Sequence, residues 1–129
     1  MLNSKDYCDY DTCVALKELG YDGSPWECSC FGAYYLNGED IFYDRLFNSE
    51  LGEDEYLKVP LYLAQKWLRE EKKLYVEVTI VVSGKNYMFE IYDTETAMLK
   101  RFVEEDYSSY EEALLEGIKE AVKILKENK

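Results

Sequence analysis

An apolar stripe close to the end of the chain is the strongest pattern in the sequence. Hydrophobic residues recur there every three or four positions over four helical turns, which predicts a long amphipathic helix. The stripe consists of Tyr110, Ala113, Leu114, Gly117, Ile118, Ala121, Val122 and Leu125. Ser109 and Glu112 form a capping-box motif in front of it. Gly117 costs about 1 kcal/mol of helix propensity relative to alanine, so we expect the helix to approach a sheet closely at that residue.

Alternating apolar and polar residues predict the main β-sheet. Leu74 to Val82 alternates between an aliphatic face and a mixed polar and aromatic face. Residues 83–86 then predict a turn, and Tyr87 to Tyr92 predicts the returning strand. Residues 97–105 fit either a strand or a helix, and we favour a strand.

Two shorter helices are predicted from the signals at their ends. Asp9 can cap a helix over Tyr10 to Leu19, and Gly20 would end it. Pro60 occupies a position that suits the start of a second helix, from Leu61 to about Lys72.

The first half of the chain also contains a hairpin signal. Residues 31–36 are aromatic and β-prone, Asn37-Gly38 is a favoured two-residue turn, and residues 41–43 can form the second strand. Residues 48–54 are polar and acidic, which predicts a mobile loop.

The predicted elements define an α+β fold, with an antiparallel sheet, helices packed on one face of it and a long C-terminal amphipathic helix. We expect a single domain over residues 1–129, because no repeat, linker or low-complexity segment divides the chain. No apolar run approaches the ~20 residues of a membrane span. The polar start of the chain shows no secretory signal, so we expect a cytoplasmic protein with no membrane partner.

Composition narrows the functional classes. The chain has 15 basic and 27 acidic residues, a formal net charge of -12. Because phosphate affinity depends on clustered Lys and Arg, this charge argues against direct binding to nucleic acid or to anionic membranes. The chain contains no histidine, which removes the commonest general base and the commonest zinc ligand.

Four cysteines, Cys8, Cys13, Cys28 and Cys30, allow a zinc hypothesis with two ligand pairs around one ion. Their spacings fit the usual zinc knuckles poorly, and Cys13 falls inside a predicted helix. We therefore favour reduced thiols, with Cys13 as a small buried hydrophobe.

Carboxylates are the remaining candidates for chemistry. Glu90, Asp93 and Glu95 with Lys85 come nearest to a metal-dependent nuclease site, in which acids converge from strand ends beside a lysine. The simpler interpretation places these acids on a solvated strand face and in turns. We assign no catalytic, cofactor-binding or metal-binding residue and expect no cofactor.

The chain has 13 tyrosines, an excess with a direct physical use. Tyrosine combines a large apolar area with a polar tip, which suits interfaces. Tyr75, Met88 and Tyr92 are predicted on the sheet face away from the core, where they would form a docking surface for a partner protein or a homo-oligomer interface. The alternative is that tyrosine serves here only as a strand former.

Two segments resemble a known family. They are Pro60-Leu-Tyr-Leu-Ala-Gln-Lys-Trp-Leu-Arg-Glu70 and Ser109-Tyr-Glu-Glu-Ala-Leu114. Both are similar to small proteins encoded in phages and prophages of gut Bacteroidetes, which have no assigned activity, and the resemblance covers Val59 to Leu125. Those proteins commonly have a histidine where this chain has Lys72, so no histidine-based role is implied here. A hairpin followed by a capped Glu-Glu-Ala-Leu helix is also similar to the antitoxin domain of HicB type.

These observations favour a non-enzymatic phage or prophage accessory protein that binds another protein. Its acidic surface would imitate nucleic acid if the carboxylates lie at phosphate-like spacing on one face. One alternative is a HicB-like antitoxin that neutralises a small basic toxin. A second alternative is a carboxylate- or metal-dependent enzyme.

Overall fold

A computed structural model of the chain describes residues 4–23, 33–34, 38, 40–41, 47–81, 86–103 and 105–127. Its helices are α1 (Tyr10–Glu18), α2 (Leu61–Glu71) and α3 (Tyr110–Glu127). Its strands are β1 (Ala33–Tyr34), β2 (Asp40–Ile41), β3 (Tyr56–Leu57), β4 (Leu74–Ile80), β5 (Tyr87–Asp93) and β6 (Met98–Phe102). The strands form two antiparallel sheets, in the orders β2-β1-β3 and β4-β5-β6. The predicted α+β fold and its long C-terminal helix are confirmed.

Side chains satisfy free backbone N–H groups at the starts of two helices. The Oδ1 atom of Asp9 accepts a hydrogen bond from the backbone N–H of Thr12 at 3.0 Å, which confirms the predicted cap of α1. The Oγ atom of Ser109 accepts from the backbone N–H of Glu112 at 3.1 Å. The Glu112 carboxylate accepts a hydrogen bond from the Ser108 hydroxyl at 2.8 Å. The structure therefore shows the first half of the predicted capping box, with the Glu112 carboxylate bonded one residue earlier than predicted.

The sheet β4-β5-β6 is covered on one face by α2 and α3. Leu74, Val76, Phe89 and Ile91 point towards these helices and are buried. At Gly117 the helix α3 comes so close that an added Cβ atom would lie against Cγ1 of Val76 and 3.1 Å from Cγ of Phe89. The expected close approach at Gly117 is confirmed.

Residues 98–102 form a strand, as favoured for the ambiguous segment. The pairing of β5 with β6 shifts register between Ile91 and Tyr92. After β6 the chain returns to β5, where Tyr107 and Tyr87 exchange backbone hydrogen bonds of 2.7 and 2.9 Å.

The predicted hairpin is present where the structure describes it. Ala33–Tyr34 pairs with Asp40–Ile41, but this register differs by one residue from the register of a two-residue turn at residues 37–38, which would place Tyr34 opposite Ile41. The other residues of 31–36 and 41–43 lie outside the described residues, as do residue 82 at the end of the predicted strand and residues 83–85 of the second predicted turn.

Two details of burial differ from the sequence pattern. Ile124 is buried in the last part of α3, whereas Tyr110 at the start of the predicted stripe is exposed. The segment expected to be a mobile loop contains a short 3-10 turn at Asn48–Glu50, and Asn48 itself is buried. In the described part of the chain, no helix is both long enough and apolar enough to cross a membrane.

Candidate functional site

The two described cysteines lie in the core. Cys8 and Cys13 are fully buried, and the Cys13 thiol donates a hydrogen bond of 3.7 Å to the carbonyl oxygen of Cys8. A hydrogen bond with Cys13 and burial together raise the pKa of the Cys8 thiol well above its usual range. Because the thiolate is the nucleophile and the metal ligand, this environment suits packing rather than chemistry. Cys28 and Cys30 lie outside the described residues.

The carboxylates considered for a nuclease site do not converge. Side chains alternate along β5, so Glu90 and Asp93 lie on opposite faces of the sheet. The Oδ1 atom of Asp93 accepts hydrogen bonds from the backbone N–H groups of Glu95 at 2.8 Å and Thr96 at 3.3 Å, which stabilise the turn before β6. Lys85 lies outside the described residues. Across the described ranges, no group of three or more Cys, Asp or Glu residues is placed to hold a metal ion.

A cleft of about 550 Å³ lies where the chain entering α1 meets the start of α3. Its lining includes Tyr7, Asp9, Ser109 and Glu112. Asp9 caps α1 and forms an ion pair with Lys119, and both Ser109 and Glu112 belong to the cap of α3. These polar groups therefore fix the two helix ends.

The face of β4-β5-β6 away from the helices forms the surface that we call the open sheet face. Strand register arranges its side chains in three rows that cross the sheet. The first row is Tyr75, Tyr92 and Leu99; the second is Glu77, Glu90 and Phe102; the third is Thr79 and Met88.

Burial shows that this face is uncovered. The helix-side residues Val76 and Ile91 are completely buried, whereas the residues of β4 and β5 on the open sheet face are all partly exposed. On β6, the exposed fraction of the side chain is 49% for Leu99 and 43% for Phe102. The described structure therefore leaves aromatic and aliphatic side chains partly exposed on both sides of the row that contains Glu77 and Glu90.

Two negative charges stand at the centre of this surface. Glu77 on β4 is directly opposite Glu90 on β5. No ion pair joins either carboxylate to a basic side chain within the described residues. Partial removal from water, followed by the charges of Glu90 and Glu77, raises the pKa of the neighbouring Tyr92 phenol.

The sequence predicted part of this site. The structure brings Tyr75, Met88 and Tyr92 together on one sheet face, in accordance with the alternation. The opposition of Glu77 and Glu90 was missed, because counting outward from the predicted turn at residues 83–86 pairs Glu77 with Tyr92, whereas the structure pairs it with Glu90. The contribution of β6 could not be predicted, because the register shift in that strand has no clear sequence signal.

No family model, curated protein or solved structure matches the chain. The resemblance of residues 59–125 to phage and prophage proteins therefore stays a prediction. The function has to be inferred from the surfaces of the chain itself.

Proposed function

We propose that the chain is a non-enzymatic protein-binding domain and that the open sheet face is its binding surface. The observation that carries this proposal is the placement of Glu77 directly opposite Glu90 within an aromatic and aliphatic surface. Two like charges directly opposite each other in a sheet destabilise it by up to about 1 kcal/mol. A cationic group of a partner protein would relieve this repulsion, so the pair gains a favourable role only in a complex.

The surroundings of the pair have the composition of an interface. Tyr75 and Tyr92 offer large, stiff apolar surfaces with polar tips, and Leu99 and Phe102 add exposed apolar area at the edge of the sheet. Aromatic residues are enriched in protein interfaces, and exposed apolar patches of this kind commonly mark interaction sites.

Charge favours a different protein over a second copy of this chain. Two copies that packed through the open sheet face would bring both Glu77–Glu90 pairs into one interface, and four carboxylates there would repel each other. The net charge of -12 also attracts basic proteins and speeds their encounter with the chain. The partner that we propose is therefore a positively charged protein. A small basic toxin, as the antitoxin hypothesis requires, belongs to this class.

Nucleic-acid mimicry receives less support from this surface. Glu77 and Glu90 are the carboxylates that the described strands place on the open sheet face. A single pair of carboxylates does not reproduce the long, regular series of charges along a nucleic-acid backbone.

Affinity capture with matched variants tests the proposal. The tagged wild-type chain is compared in cell lysate with the double variant Leu99→Ser/Phe102→Ser, which removes exposed apolar groups from the open sheet face. The control is Ile80→Ser, which makes the same kind of change on the other face of the sheet, where Ile80 is 62% exposed. We expect a partner that the wild type and the control capture and the double variant does not. Equal capture by all three chains would contradict the proposal, as would no capture at all.

A further inference from the structure

We infer that the partner presents an arginine side chain to the carboxylates of Glu77 and Glu90. This inference rests on the proposed function, because it specifies the chemistry by which the same surface would recognise its partner. Its basis is the row that joins the two carboxylates across β4 and β5, with an aromatic row beside it.

The spacing of the pair suits one guanidinium group. Val81 donates its backbone N–H to the carbonyl of Asn86, and Thr94 donates to the carbonyl of Lys73. By alternation, the pair of Glu77 and Glu90 is also a hydrogen-bonded pair, with Cα atoms about 5.5 Å apart. A guanidinium carries five N–H donors in one plane, so it can donate to two carboxylates at once.

The neighbouring rows favour arginine over lysine. Tyr75 and Tyr92 border the carboxylates on one side, and Thr79 and Met88 border them on the other. A guanidinium can stack on an aromatic ring while its edges donate hydrogen bonds, and it is more weakly hydrated than an ammonium group. A lysine would supply the charge without the planar stacking or the paired donors.

The chain does not use its own arginine of this sheet to neutralise the pair. Arg101 on β6 lies opposite Ile91, on the helix-covered face. Its guanidinium donates to the carboxylate of Glu120 and forms a second ion pair with Glu127 at 3.5 Å. Within the described ranges no basic side chain forms an ion pair with Glu77 or Glu90, so the pair can accept a cation from a partner.

Three synthetic peptides test the inference. They share one sequence, with leucine on either side of a central residue that is arginine, lysine or citrulline, which has nearly the shape of arginine without its charge. Each peptide is titrated into isotopically labelled protein, and the affinity is read from backbone amide shifts in β4 and β5. Three proteins are compared: the wild type, the variant Glu77→Gln/Glu90→Gln and a charge-matched control. The control, Glu53→Gln/Glu95→Gln, removes two exposed carboxylates outside the open sheet face.

We expect the arginine peptide to bind the wild type and the control at least about tenfold more tightly than the citrulline peptide. The affinity of the lysine peptide should lie between those of the other two peptides. In Glu77→Gln/Glu90→Gln the three affinities should become equal to within about twofold. Equal affinities in the wild type, an arginine preference that survives in Glu77→Gln/Glu90→Gln, or no shifts in β4 and β5 would each overturn the inference.

The two proposals fail in different ways. A captured partner that is lost with Leu99→Ser/Phe102→Ser but bound normally by Glu77→Gln/Glu90→Gln would leave the binding surface in place and refute the arginine contact. Capture that neither double variant affects would refute the binding surface itself.

Discussion

Gly117 on α3 lies so close to Val76 on β4 that the position has no room for a Cβ atom. The helix therefore rests with its backbone against the side chain of the strand, and Phe89 closes the same space from β5. This contact explains why a long amphipathic helix keeps a glycine at its centre, where alanine would favour helix formation by about 1 kcal/mol.

Gly117→Ala should destabilise the fold despite that higher helix propensity. Overpacking typically costs about 1–3 kcal/mol, and alanine regains about 1 kcal/mol, so we expect a net loss of about 1 kcal/mol. Gly117→Leu has more atoms to place and should lose more. Urea unfolding followed by circular dichroism measures both free energies of unfolding.

Two controls separate packing from propensity in this experiment. Lys123→Ala changes an exposed residue of the same helix and should alter the free energy of unfolding by no more than about 0.5 kcal/mol. Val76→Ala makes room for the new methyl group, so Gly117→Ala/Val76→Ala should lose less than the sum of the two single losses. Fully additive losses would show that Val76 does not resist the added Cβ atom.

Asn48 ties the segment after α1 to β3. Its side-chain N–H donates to the carbonyl of Tyr21 at 2.8 Å, and its Oδ1 atom accepts from the backbone N–H of Leu57 at 2.9 Å. Asn48→Ala would remove both of these hydrogen bonds to buried backbone groups, and we expect a loss of about 2–4 kcal/mol in the free energy of unfolding.

The neighbouring residue provides the control for Asn48. Ser49 donates its hydroxyl to the Asp22 carboxylate in an exposed hydrogen bond, so Ser49→Ala should change stability by no more than about 0.5 kcal/mol. The same unfolding measurement compares the two variants. Similar small losses would mean that Asn48 does not hold the two segments together.

Local signals predicted the helices and the main sheet because their causes are local. The Asp9 cap, the stripe of α3 and the alternation of β4 each depend on residues within a few positions of one another, or on one repeating period. Even the role of Gly117 could be predicted, since an unfavourable residue in a strong pattern calls for a compensating contact.

Contacts between distant residues could not be predicted in the same way. The polar composition of residues 48–54 indicated exposure, yet Asn48 is buried. Its side chain forms hydrogen bonds with residues 27 and nine positions away. Lys17 donates to the carbonyls of Gly52 and Glu55 at 3.0 and 2.9 Å, across 35 and 38 residues. Likewise, the register that sets Glu77 opposite Glu90 depends on how two strands meet and not on either strand alone.

Asp9 should make part of the stability depend on pH. Burial alone would raise the pKa of its carboxyl, but hydrogen bonds from Lys119 and Thr12 outweigh burial and lower it. The Nζ atom of Lys119 lies 2.8 Å from Oδ2 of Asp9, and this bond in turn raises the pKa of the Lys119 ammonium. Because the folded-state pKa of Asp9 is below its unfolded value, its contribution is present above the unfolded value and is lost as the pH falls through the folded one.

Asp9→Asn measures this contribution. Asparagine keeps the helix cap but lacks the charge, so the variant should be less stable than the wild type at pH 7, by no more than about 1 kcal/mol for a partly exposed ion pair. The difference should shrink towards zero as the pH falls to about 2. Glu53→Gln serves as the control, because Glu53 is exposed in a turn. A difference for Asp9→Asn that stays constant over this pH range would contradict the linkage.

The Glu77–Glu90 pair should cost stability in the free chain, as the proposed function requires. Glu77→Gln/Glu90→Gln removes the repulsion, and we expect the free energy of unfolding to rise by about 0.5 kcal/mol at low ionic strength. Added salt should stabilise the wild type more than this variant, because salt screens only the charges that remain.

The variant should also self-associate more readily in sedimentation runs at matched concentrations, since the open sheet face then lacks its charges. Glu53→Gln/Glu95→Gln makes the same change in net charge and should show none of these three effects. A loss of stability in Glu77→Gln/Glu90→Gln would mean that the carboxylates stabilise the isolated chain, and the pair would no longer indicate a missing partner.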